Sequence, residues 1–342
     1  MNLKVLMKNV LFYLMLFTIT CVSAQNKYDF AVYFDTGAWE DGTKAFEQFL
    51  DWKGLSHKRV DAQYVNTHNL QTHFKGIYFP GGDADYYYRF INYNGVRHIK
   101  QLVANGYYIG MCAGADYACD KLTWEGITYD YPLDFFQGTA VGPIDVIAPW
   151  PQYTMTTIAM DMNDEINKFG SATEDMLYWG GSTFSTSAAN NFDVVARYAN
   201  AGNQSAIIKF DYENGRVLLI GPHPEIEEDN YRDHTSIVEE LDDNGSDWNF
   251  LWTATDWLLK RPVSVPNDGK TIKLYPNPAT DIVYINMDKK IEEITVINQQ
   301  GQIVLRQKTN QKYIDISELS KGIYLIKLKT FDEFTIKKLV VQ

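Results

Sequence analysis

Three short segments carry residue types suited to acyl chemistry. In Tyr107–Ala115 an apolar run enters Gly110-Met111-Cys112-Ala113-Gly114 and then a helical stretch. Glycines on both sides permit a tight strand-to-helix turn that exposes the middle side chain. A thiol there sits at a helix N-terminus, where the dipole favours thiolate, the reactive form. The second segment is an apolar strand, Val217–Ile220, followed by Gly221-Pro222-His223-Pro224-Glu225. Residues two apart on an extended chain point the same way. Glu225 can therefore orient the His223 ring, and His223 can serve as base toward a nucleophile. The third is Phe79-Pro80-Gly81-Gly82-Asp83, whose paired glycines can offer backbone N–H groups to a developing oxyanion.

These segments need rigid elements to bring them together, and the patterning supplies them. Apolar runs at 30–34, 76–79 and 107–110 read as strands, as does 59–65. Residues 43–52 read as a helix with Ala45, Phe46, Phe49, Leu50 and Trp52 on one side, and 96–104 as another. Residues 206–210 and 216–220 form a strand pair around the Glu213-Asn214-Gly215 turn. An amphipathic helix over 248–259 closes the domain. Strands alternating with helices predict an α/β domain with a largely parallel sheet. The run 262–270, with Pro262, Pro266 and Gly269, is a linker by composition. Beyond it, short strands near 282–285, 294–297, 303–305, 313–316, 324–328 and 334–341 predict a small β-sandwich over 271–342.

Each candidate also has a plainer reading. A free cysteine is usually a small buried hydrophobe. The flanking glycines and the downstream His-x-Glu set Cys112 apart, whereas Cys119 reads as core. Glu225 heads an acidic run with Glu227, Glu228 and Asp229 that could be a solvated face. Asp83 suits either a substrate amine or a turn cap. Asp116 suits a cap in the first helical turn. The stretch 242–247 has the flavour of a calcium loop but lacks the twelfth-position Glu. The remaining histidines show no metal spacing. No catalytic metal and no cofactor are expected.

The 342 residues carry a formal net charge of -12, to which 1–24 contribute +2 and 271–342 contribute +3. The remaining -17 on 25–270 opposes binding to nucleic acid or anionic lipid. Lys4 and Lys8, the apolar run 10–19 and Val22-Ser23-Ala24 predict a signal peptide over 1–24. Thr18-Ile19-Thr20 ahead of Cys21 lacks the small pair that lipidation wants. No other run approaches the ~20 apolar residues of a transmembrane helix. Cys112 and Cys119 then remain, and both are expected as free thiols.

Leu274-Tyr275-Pro276-Asn277-Pro278-Ala279, Asn298-Gln299-Gln300-Gly301-Gln302, Leu319–Tyr324 and Lys337–Val341 stand in order. The tail they define resembles the type IX secretion C-terminal sorting domains of Bacteroidetes. That implies outer-membrane export, with the secretion machinery as partner. A carbohydrate-binding or adhesive β module is the alternative. In the middle segment, strand-PGG, G-x-C-x-G and H-P-E follow the order of class I glutamine amidotransferase-like domains. That resemblance implies a flavodoxin-like parallel sheet with flanking helices. It implies Cys112 as nucleophile, His223 and Glu225 as its partners, and Gly81, Gly82 and the Ala113 amide around the oxyanion. Phe135–Ile144, Tyr178–Phe184 and Gly221–Glu225 resemble the N-terminal domain of biotin-protein ligases, over about 29–260 within a domain at 25–261.

The ligase catalytic domain is not recognised in the chain, so biotin transfer does not follow. Amidotransfer would need a synthetase to receive the ammonia. The expected activity is therefore an exported cysteine-dependent hydrolase acting on an amide, peptide or related acyl bond. Its substrate would be a small molecule or a peptide. The alternative is a non-catalytic binding module that keeps the cleft, with a rim of Trp39, Tyr86, Tyr87, Tyr88 and Trp179.

Overall fold

The computed structural model describes residues 27–342 apart from 169, 187–191, 228–231, 239, 242–244, 262–272, 288–289, 310 and 331–333. The expected leader at 1–24 and the linker at 262–270 lie outside the described residues. So do Glu228, Asp229 and residues 242–244 of the 242–247 loop.

The N-terminal half is built from strands β1 (Tyr28–Tyr33), β2 (His57–Val60), β3 (Phe74–Phe79) and β4 (Tyr107–Met111). Helices α1 (Glu40–Lys53), α2 (Ala62–Thr67), α3 (Ala84–Phe90) and α4 (Tyr93–Val103) lie between them. After β4 comes a short helix, α5 (Ala113–Tyr117). Strands β5 (Cys119–Trp124), β6 (Ile127–Asp130), β7 (Phe136–Gly142), β8 (Thr154–Met160) and β9 (Thr173–Tyr178) follow. Then come β10 (Thr183–Ser185), β11 (Asp193–Tyr198), β12 (Gln204–Tyr212) and β13 (Gly215–Ile220), and helix α6 (Trp248–Leu258) ends the unit.

The main sheet has nine strands in the order β2-β1-β3-β4-β13-β12-β11-β8-β9. The first five are parallel and the rest pair antiparallel. The flavodoxin-like parallel sheet expected from the sequence thus gives way to a large mixed sheet. A second sheet, β10-β7-β5-β6, is not legible from periodicity. Its strands pack only partly against the core and leave β6 exposed throughout, so no strong alternation marks them.

Burial on both faces explains the apolar runs of the parallel half. Phe30 and Val32 of β1, Ile109 of β4 and Leu218 of β13 face α1 and α6. Their neighbours Ala31, Tyr108 and Leu219 face α2, α3, α4 and the second sheet. Two elements differ from expectation. The strand over 59–65 stops at Val60, because Asp61 caps α2 by accepting the Tyr64 N–H at 2.7 Å. Helix α6 is buried nearly all round rather than amphipathic. Its polar residues are satisfied internally: Thr255 donates to the Leu251 carbonyl, and Asp256 pairs with Lys53 at 2.8 Å.

The tail forms two sheets. Strands β14 (Lys273–Tyr275), β15 (Ile282–Asn286) and β18 (Tyr313–Asp315) make one. Strands β17 (Ile303–Lys308), β16 (Glu293–Ile297), β19 (Gly322–Lys329) and β20 (Phe334–Val341) make the other. They share a core that includes Val283, Ile285, Ile314, Val296, Ile326 and Leu339. Its first and last motifs meet directly. Asn277 donates to the Lys338 carbonyl at 2.8 Å and accepts the Val340 N–H at 2.9 Å.

Candidate active site

Strands β3, β4 and β13 are neighbours in the parallel half, and the three sequence segments leave them at the same end. Cys112 follows β4 with φ 47° and ψ −114°. A non-glycine residue in that region stores strain and persists only where its surroundings hold it. The holding contacts are visible. The Cys112 N–H donates to the Ile220 carbonyl at 2.8 Å, tying the turn to the end of β13. A Cβ on Gly110 would lie 2.4 Å from the Gly114 oxygen, and one on Gly114 2.1 Å from the Phe79 oxygen. Both glycines are therefore required by close backbone approach. Helix α5 has only five residues, so its dipole is smaller than the sequence suggests.

His223 is fixed from the other side. Its N–H donates to the Leu177 carbonyl of β9 at 2.8 Å. Its Nδ1 lies 2.8 Å from Glu225 Oε1, and both side chains are buried, at 2% and 0% exposed. With Nδ1 committed to Glu225, Nε2 is the nitrogen left to act, and Cys112 lies on the same cavity wall with its thiol donating to the Trp179 carbonyl at 3.6 Å. Burial lowers the imidazole pKa, but the Glu225 charge and then Cys112 outweigh it and raise it to about 10. His223 is thus an imidazolium at neutral pH. Glu225 is no solvated acid: its backbone carbonyl accepts from Trp248 Nε1 at 2.9 Å, and among the described residues its Oε2 has no partner. Glu227 is buried too, bound by Arg232.

The two glycines after β3 take different places. Gly81 lies beneath the imidazole, where a Cβ would sit 2.6 Å from His223 Cε1. Gly82, at φ 134°, lines the cavity instead. Trp39 N–H to Gly81 oxygen and Asp83 N–H to Gly37 oxygen, each 2.8 Å, hold this loop. Among the described residues the Gly82 and Ala113 N–H groups donate to no protein acceptor, and both residues line the cavity. Asp83 caps α3 by accepting the Asp85 N–H at 3.0 Å, and it also lines the cavity.

That cavity has a volume of about 680 Å³, a normal size for a small-molecule site. Cys112, Ala113, His223 and Gly82 lie on its wall. Of the expected aromatic rim, Trp39 and Trp179 belong to it. Tyr86 and Tyr88 lie outside the lining and are exposed, and Tyr87 is buried, donating to the Gly81 carbonyl at 3.0 Å. Trp124, Tyr129, Tyr131 and Trp150 replace them. Reasoning from sequence misses these, because they enter with the second sheet and the loop after it. Asp116 is not the cap that its position suggests. It lines the cavity at 2% exposure, and burial pushes its carboxyl up to about 7. Cys119 is core: it is fully buried, with its thiol on the Ala115 carbonyl at 3.4 Å.

With this geometry in view, residues 32–249 match the family described as biotin-protein ligase, N terminal. The chain belongs to the biotin-protein ligase N-terminal family. Residues 273–342 match the secretion system C-terminal sorting domain. The sorting domain implies the type IX secretion machinery as partner, and the cell surface or exterior as destination. Among curated proteins, Beta-agarase D of Zobellia galactanivorans is 31% identical over 90 residues, which are 25% of this chain and 19% of that protein. The chain thus spans about a fifth of that relative.

Similar solved structures include a GMP synthase protein of Thermoplasma acidophilum. It has a TM-score of 0.38 and 16% identity, over 61% of this chain and 91% of that one. A glutamine amidotransferase of Thermotoga maritima has a TM-score of 0.38 and 11% identity, over 63% and 84%. Likenesses this distant carry no argument about function. Among the described residues, no helix of this family member is long and apolar enough to cross a membrane.

Proposed function

We propose that this protein is an exported cysteine-dependent hydrolase acting on an amide, peptide or related acyl bond. One observation carries the reading. A strained Cys112 shares a cavity wall with His223, whose ring is held by buried Glu225 at 2.8 Å. A nucleophile, a base and an orienting acid in that relation form the general pattern of covalent acyl transfer.

In the proposed reaction the Cys112 sulfur, its proton passed to His223, attacks the carbonyl carbon. The carbonyl oxygen becomes an oxyanion facing the Gly82 and Ala113 amides, which among the described residues have no protein acceptor to give up. His223 Nε2–H then protonates the leaving amine, the C–N bond breaks, and a thioester remains. Water adds to the thioester as His223 takes its proton. The C–S bond breaks, the acid leaves, and the imidazolium is restored. Glu225 holds the ring throughout. Gly81 contributes by letting the imidazole lie close, not by lining the cavity. Residues 1–24 would serve as the cleaved leader, consistent with the sorting domain at the other end.

The test is labelling of the secreted protein with an electrophilic acyl probe, followed by an amide and peptide library screen. Labelling should map to Cys112. Cys112→Ala should abolish it, and His223→Ala should slow it by at least ~10²-fold, the usual weight of a general base. A hit hydrolysed equally well by Cys112→Ala would sink the proposal. Saturable ligand binding with no labelling would favour the binding-module reading, which the aromatic walls suit.

A further inference from the structure

The proposed chemistry leaves one cavity group unused. Asp116 stands four residues beyond Cys112, its N–H bonded to the Cys112 carbonyl at 3.0 Å. It is 2% exposed, lines the cavity, and among the described residues its Oδ1 has no hydrogen-bond partner. The Ser182 hydroxyl lies nearby, also outside hydrogen-bond geometry. A buried carboxylate oxygen without a donor costs free energy comparable to a lost hydrogen bond. A ligand that donates to Asp116 would offset that cost.

The surroundings select the kind of ligand. Among the described lining residues the cations are Arg89 and His223, and each is bound to a carboxylate, Asp85 and Glu225 respectively. Asp83 and Asp116 remain as uncompensated acids. Among the described residues, the titratable groups whose ionisation Asp116 opposes include Tyr108, Tyr131, Tyr178, Tyr198 and the thiol of Cys119, none of them a cation. The same cavity has aromatic lining, with Trp124 and Trp150 edge to face at 5.6 Å. Gly180 lies directly under this pair, where a Cβ would come within 2.9 Å of Trp150 and 3.1 Å of Trp124. Trp faces and the desolvated Asp116 carboxylate together favour an organic cation.

We propose that the cavity takes substrates bearing a protonated amine or guanidinium, held by Asp116 against the Trp124–Trp150 wall. The proposal rests on the hydrolase reading only for the word substrate; the cation site is a claim about binding.

The test uses the full mature chain carrying Cys112→Ala, so that binding is read without turnover. Calorimetry would compare benzylammonium with its neutral isostere benzyl alcohol and with benzoate. The cation should bind at least ~10-fold tighter than the alcohol, and benzoate weakest. Asp116→Asn should erase the cation's advantage and leave the alcohol unchanged. Within the Cys112→Ala protein itself, affinity for benzylammonium should rise about tenfold from pH 6 to pH 8 as Asp116 ionises, with the alcohol flat.

Equal binding of cation and alcohol, a preference for benzoate, or a cation preference that survives Asp116→Asn overturns the proposal. A cation preference in a protein whose Cys112 ignores acyl probes would overturn only the hydrolase reading.

Discussion

Replacing Glu225 by Gln tests the electrostatics of the site at its most sensitive point. Gln keeps the side-chain shape and an acceptor oxygen for His223 Nδ1, so the change removes chiefly charge. Glu225 Oε1 stands 2.8 Å from Nδ1 with both groups buried. Opposite charges about 4 Å apart at an effective dielectric of about 20 attract by about 4 kcal/mol. That corresponds to about three pKa units. His223, raised to about 10, should therefore titrate near 7 or below in Glu225→Gln, because burial is then opposed only by Cys112.

The consequence for stability has a defined sign. A histidine pKa raised in the folded state stabilises fully below its unfolded value of about 6.5, and the gain is lost as pH rises through about 10. Wild-type stability should thus decline between pH 7 and 10 by up to about 5 kcal/mol, and Glu225→Gln should show little of that slope. The assay is the His Cε1–H resonance followed from pH 5 to 11, assigned with His223→Gln, alongside thermal unfolding at each pH. A wild-type midpoint near 6.5, or a midpoint unmoved by Glu225→Gln, would refute the reasoning.

Two further substitutions probe the packing around the site. Gly81→Ala places a methyl 2.6 Å from His223 Cε1. It should displace the ring, cost about 1–3 kcal/mol by overpacking, and depress acyl-probe labelling far more than it lowers Tm. Asp116→Asn should stabilise the protein at pH 8 and be near neutral at pH 4. The folded-state carboxyl is raised from an ordinary value to about 7, so stability is lost as pH climbs from about 4 to 7, by at most about 4 kcal/mol. Paired melts at the two pH values check the sign.

Much of the site is legible in the residues alone, because its requirements are local. A strained turn flanked by close backbone contacts needs glycines at 110 and 114, and a His-x-Glu on extended chain needs only its own spacing. The strands β1, β3, β4, β12 and β13 are equally plain, since burial on both faces demands continuous apolar runs. The tail strands are plain through regular spacing. Other features depend on contacts that leave no local mark. Asp61 ends a strand early by capping the next helix. The second sheet is made of half-buried strands without clean alternation. The balance of parallel and antiparallel strands arises from pairings among distant segments.

Within the candidate site, the sequence by itself determined which residues to look for: Cys112, His223, Glu225, and the glycines that let them approach. Only the tertiary structure decided what surrounds them. It buried Glu225 rather than leaving it in an acidic face, and so raised the His223 pKa through an unscreened charge. It put Gly81 under the ring and Gly82 on the cavity wall. It also turned Asp116 from an expected cap into a buried acid on the wall of a cavity with aromatic lining. The reason is physical: identity and spacing are properties of the chain, whereas desolvation and field strength belong to the neighbours that folding brings up.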